Sequence, residues 1–165
     1  MLRISTLGPL IISLDGEPVH TFKTTKALAL LIFLAVEKDR DHSRESLMEL
    51  LWPDMPLESA QVNLRQTVYR LRQSLPQVDT IPGVEKVPIL QADRQTIRIH
   101  PGACANVDID DFLSSLEENP EQAVEYYRGD FLSDFYLADS NPFEDWAERI
   151  RQDPVSYTHL TLPTN

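Results

Sequence analysis

The longest regular run of apolar positions passes through Leu57, Ala60, Leu64, Val68, Leu71 and Leu75. Steps of three and four residues place them on one face of a helix. No Gly or Pro interrupts Glu58 to Leu75, and Glu58 near the start with Arg70 and Arg72 toward the end follows the order that the helix dipole favours. Trp52-Pro53 closes whatever precedes it, because a residue before proline is pushed out of the helical region. The new helix is therefore expected after Pro56. Its opposite side reads Ser59, Asn63, Gln66, Arg70 and Gln73, with Arg65 and Arg72 on one flank and Val62 and Tyr69 beside the polar row.

Upstream, Leu2 to Leu7 and Leu10 to Leu14 are short apolar runs, separated by Gly8-Pro9 and ended by Asp15-Gly16, a hairpin signal. Val19 to Phe22 is expected as a third strand of a small N-terminal antiparallel sheet. Thr24 or Thr25 caps a helix through Lys38, with Leu28, Leu31, Ile32 and Ala35 at core spacing. Ser43 caps a second helix, Arg44 to Leu51. Beyond the long helix, Pro88 to Gln91 and Thr96 to His100 read as two strands around a turn at 92–95. The expected fold class is an α+β winged helix: N-terminal sheet, three helices and a C-terminal hairpin wing, followed by a truncated all-α segment.

Charge divides that chain. The net charge is −11, yet residues 20–100 sum to +1 and residues 101–153 alone to −11. The acidity belongs to the second half, which suggests two modules with different partners. Cys104 is the lone cysteine, so no disulfide framework or thiolate metal cluster is expected, and a reducing cytoplasm is the natural compartment. The longest apolar run, Ala27 to Val36, is about half of the roughly 20 residues that span a bilayer, and no membrane association is expected.

At this point LWPD at 51–54, NLRQTVYRLRQSLP at 63–76 and the hairpin beyond it identify a resemblance. They resemble the OmpR-like winged helix of the SARP group of bacterial transcriptional activators, over residues 1–102. Residues 103–154, with a helix opening at Val107 to Phe112, a second from Asn119-Pro120, then YRGDFL at 127–132 and FEDWAERIR at 143–151, resemble the start of a bacterial transcriptional activation domain. That domain is an array of helix pairs similar to tetratricopeptide repeats. The resemblance implies dimerisation, activation and a possible contact with RNA polymerase. No receiver domain is expected ahead of the first strand. Residues 155–165, VSYTHLTLPTN, match one reading frame of a transposase-based sequencing adaptor, so the natural protein is expected to continue differently and further.

The long helix is expected to enter a major groove, where amides and guanidinium groups read base edges. Asn63, Gln66, Thr67 and Arg70 are the candidates for bases; Lys23, Lys26, Arg65, Arg72, Arg94 and Arg98 are the candidates for phosphates. Double-stranded DNA is the expected partner, with a homodimer in the full-length protein. The alternative makes the winged helix a scaffold and the acidic helical segment a protein-binding module. His20, His42 and His100 are far apart in sequence, so no metal is expected. Clusters such as Asp108, Asp110 and Asp111 suit a helix start better than a cation loop. No phosphate loop, nucleophile elbow or Cys/His pair is present, so neither a cofactor nor catalysis is expected. The aromatic-rich stretch from Tyr126 to Trp146 reads as core packing between helices rather than a partner surface.

Overall fold

The computed structural model describes residues 1–75 and 86–154. The elements are β1 (Leu2–Ser5), β2 (Ile11–Leu14), β3 (Glu17–Pro18), α1 (Thr25–Val36), β4 (His42–Ser43), α2 (Arg44–Leu51), α3 (Leu57–Ser74), β5 (Leu90–Ala92), β6 (Thr96–Ile99), β7 (Ala105–Val107), α4 (Asp108–Glu118), α5 (Pro120–Tyr126) and α6 (Asn141–Gln152). This is the expected winged helix with a helical segment after it. The adaptor-like tail lies outside the described residues.

Two small sheets frame the helices. The first runs β3-β2-β1-β7 and the second β4-β6-β5. Asp15 and Gly16 turn β2 into β3 with φ of 52° and 85°, the pair of positive values that a type I′ hairpin turn requires. The turn pulls the third strand forward to Glu17–Pro18, so Val19 to Phe22, expected as that strand, follows it instead. Sequence reading also missed β4, whose two residues pair with Thr96 and Ile97 of the wing.

The helix starts follow local chemistry. Thr24 Oγ1 accepts from the Ala27 amide and Ser43 Oγ from the Ser46 amide, each satisfying a donor that a first turn leaves without an intrahelical partner. Eight residues of α1 are buried, which suits a helix enclosed on several sides. Trp52 N–H still donates to Met48 O, and the chain then leaves α2 at Pro53. Leu57 stands at the first turn of α3 and is 63% exposed. It was expected in the core stripe, but the helix begins there, before its neighbours close over it; Ala60, Leu64, Val68, Leu71 and Leu75 are buried.

The core continues past residue 102. β7 lies parallel to β1 in the N-terminal sheet, and Leu7 bridges Phe131. Thr6 O accepts from Leu132 N at 2.7 Å, and Asp130 O from Gly8 N at 3.0 Å. Two glycines let these strands meet: a Cβ on Gly129 would lie 3.1 Å from Gly8 Cα, and Gly8 sits at φ +103°. The Asp108 carboxylate fixes the same corner, accepting from Thr6 N, Thr6 Oγ1 and Leu7 N.

Then α6 returns to the three-helix body. Trp146 packs edge-on to Phe33 of α1 and to Phe131, with ring centroids 5.0 and 5.6 Å apart. Its Nε1–H donates to Glu37 Oε2 at 3.0 Å. Phe131, Phe143 and Trp146 are buried, whereas Tyr127 and Tyr136 are exposed. Core packing therefore claims the large rings, as expected, and leaves two tyrosines outside.

Candidate nucleic-acid interface

α3 packs on α1 and α2, and its outer side borders the wing. Between them lies an open groove of about 900 Å³, lined by Ser43 of β4, by Arg44, Glu45, Gln61, Arg65 and Arg72 from the helices and by 92–95 from the wing turn. Arg44 sets that turn against α2. Its Nε donates to Asp93 O at 2.8 Å and its backbone N–H to Gln95 O at 2.9 Å. Within the turn, Asp93 Oδ1 accepts from the Gln95 and Thr96 amides at 2.7 and 2.8 Å. Those two backbone donors hold the Asp93 carboxyl below the usual carboxylate range. Arg94 is thereby presented, exposed, across the groove from Arg65 and Arg72.

Six of the ten anticipated contact residues are on this side or close to it. Arg65, Gln66, Arg72 and Arg94 are exposed, and Asn63 and Arg70 are half-buried. The Asn63 amide donates to Met55 Sδ at 3.0 Å. Lys23 is exposed near the other end of α3, two residues from Thr21, whose carbonyl accepts from Ser74 Oγ.

Three of the anticipated residues point elsewhere. Thr67 is 4% exposed, and its hydroxyl donates to Asn63 O one turn back at 2.7 Å; it belongs to the core face, not to the bases. Lys26 Nζ donates to Leu51 O and to Ser140 Oγ, over the Trp52 ring. Burial lowers its pKa, with Asp139 opposing that, and its charge serves the C-terminal end of α2 rather than a phosphate. Arg98 pairs with Asp41 at 3.3 Å and has its Nε buried, so it ties the wing to the residue just ahead of β4.

The exposed face of α3 is broader than the polar row, of which Ser59, Gln66 and Gln73 are exposed. Glu58, Val62, Arg65, Tyr69 and Arg72, alternately four and three residues apart, form a ridge whose members are all exposed. The row Asn63, Thr67 and Arg70 slopes from that ridge toward the core. Spacing carries this signal: opposite the buried stripe, at 100° per residue, stand Val62, Gln66, Tyr69 and Gln73, all exposed.

Residues 16–87 match the family described as "Transcriptional regulatory protein, C terminal". The transcriptional regulatory protein EmbR of Mycobacterium tuberculosis and that of Mycobacterium bovis are each 32% identical to this chain over 74 residues. This aligned stretch is 45% of the chain and 19% of either relative. Over that stretch the chain is similar to these regulators. Among solved structures, Mycobacterium tuberculosis EmbR in complex with a low-affinity phosphopeptide superposes with a TM-score of 0.67 at 24% identity. That likeness of fold covers 96% of this chain and 43% of the other, so the chain spans under half of that neighbour's length.

Proposed function

We propose that this chain is a DNA-binding transcriptional activator, with α3 in the major groove and the 88–100 wing on backbone or minor groove. One observation carries the reading. Besides Arg44, which holds the turn, three exposed guanidinium groups, Arg65, Arg72 and Arg94, border a single groove between an exposed helix face and that turn. Phosphates attract such a rim without regard to sequence, and the amide of Gln66 beside it is suited to a base edge. The relatives' description as transcriptional regulators points the same way. Residues 1–102 would serve as the DNA-binding module and residues 103–154 as the start of the activation domain. The second module carries the acidic charge, and α6 packs on α2 rather than on α3, so this acidity is kept from the DNA-facing helix. Homodimerisation and contact with RNA polymerase in the bacterial cytoplasm follow from the same reading. No described helix is long and apolar enough to cross a membrane.

The test is binding against salt. Arg72→Ala and Arg94→Ala should each weaken every duplex alike and reduce the salt slope by about one. Gln66→Ala should instead relax preference at one base position, at a cost of about 1 to 3 kcal/mol. Affinity and slope unchanged in all three variants would overturn the assignment. Retention of DNA only at low salt, with no preference among sequences, would favour the alternative in which the acidic helical segment is the binding surface.

A further inference from the structure

The ridge along α3 contains two side chains that a purely polar DNA-binding face does not need. Val62 is 41% exposed and Tyr69 63%. They stand seven residues apart, two turns along the same side of the helix, which separates them by about 10 Å. Between them on that side lie Arg65 and Gln66, both exposed, and the adjoining groove carries Arg72 and Arg94.

A valine on an exposed helix position lowers helix propensity relative to alanine, and Val62 is not among the buried residues of the core. In a helix its χ1 is nearly fixed, so the two methyl groups are presented in one orientation at small entropic cost. The Tyr69 ring is restrained too, since Gln73 Nε2 donates to Tyr69 Oη at 3.0 Å. Both are stiff apolar surfaces set among guanidinium groups. That surrounding charge selects a polyanion as occupant, and the thymine C5 methyl is the apolar group a major groove presents.

We propose that Val62 and Tyr69 read two thymine methyl groups of one binding site, about two to three base pairs apart. The inference rests on the DNA-binding reading above and adds to it the chemical feature that α3 discriminates. Hydrogen bonding from Gln66 then supplies the polar part of the same recognition, and Arg65 beside it meets the backbone. The apolar pair sets the register along the groove.

The experiment selects a preferred duplex for the whole chain from a random pool, then replaces each thymine in turn by deoxyuridine. This removes a methyl group and leaves base pairing intact. Two positions at the stated spacing should each lose roughly fourfold in affinity, the worth of one buried methyl-sized group. In Val62→Ala one of these positions should become indifferent to the substitution, and in Tyr69→Ala the other. Both changes lie on the surface, and an unchanged far-ultraviolet spectrum and melting temperature would establish that α3 is intact. A selected duplex in which no thymine methyl matters, or in which the sensitivity survives both variants, overturns the pair while leaving base reading in place. A pool from which no sequence emerges overturns base reading itself, and the pair with it.

Discussion

Lys26 and Thr67 show what burial does to residues whose types suit DNA. Each is chemically able to contact a nucleotide, yet the carbonyl groups of this fold use them first. Lys26 places its ammonium on the Leu51 carbonyl at 2.5 Å, where Ser140 Oγ also donates at 2.6 Å, and so answers an acceptor at the end of α2 that has no intrahelical partner. His42 is a third such case. It is buried, edge-on to Phe33, and its Nε2 donates to the Glu37 carbonyl at 2.8 Å. Burial lowers its pKa, with Arg40 adding to this and Glu37 and Asp41 opposing it. A neutral folded histidine contributes fully above the unfolded pKa of about 6.5 and loses that contribution as pH falls through it toward the folded value. The melting temperature should therefore drop between about pH 7.5 and 5.5, and His42→Gln should flatten that limb. Asp110, whose pKa burial raises, works in the opposite sense at lower pH, because protonation then favours the folded form.

Among the elements, the wing depends most on contacts outside itself. Its two strands are short, and β4 completes the sheet on the far side of β6. The turn is held by the Asp93 carboxylate within and by Arg44 from the start of α2. Asp93→Ala should leave the helices folded while the Gln95 and Thr96 amides exchange several-fold faster, measured by hydrogen exchange. Protection unchanged at both amides would show that the strands alone suffice. The cap of α2 offers a separate control. Ser43→Ala removes the acceptor for the Ser46 amide and should cost about 1 kcal/mol in chemical denaturation.

Over the whole molecule, the helical segment is anchored in the same core as the winged helix. Trp146 is 4% exposed, touches Phe33, Phe131 and Phe143, and reaches Glu37 through its ring nitrogen. Glu37 is itself buried and pairs with Arg40 at 3.4 Å. Removing the indole leaves a cavity and an acceptor without its donor, so Trp146→Ala should cost about 3 to 5 kcal/mol, a large share of the 5 to 15 kcal/mol typical of a domain. Near- and far-ultraviolet signals should then melt together at a lower temperature. A winged-helix transition left in place while the rest melts early would contradict a shared core. This anchoring also bears on function, because it gives the acidic segment a fixed seat on α1 and α2, behind the helix that faces the groove.

Much of this protein was legible along the chain. Periodicity and local capping chemistry place α1, α2 and α3 to within a few residues, since a stripe of leucines and a Thr or Ser before it act over single turns. The same holds for the Asp15-Gly16 turn and for the helix starts at Asp108 and Pro120. What needed the folded molecule was every relation between distant segments. A two-residue strand such as β4 carries no pattern of its own and exists because β6 lies beside it. The direction of α3's outer face was settled by what α1 and α2 cover, so Val62 and Tyr69 stand outside while Thr67 turns in. The sequence states which residue types are chemically suited to a nucleic acid; packing decides which of them are left uncovered.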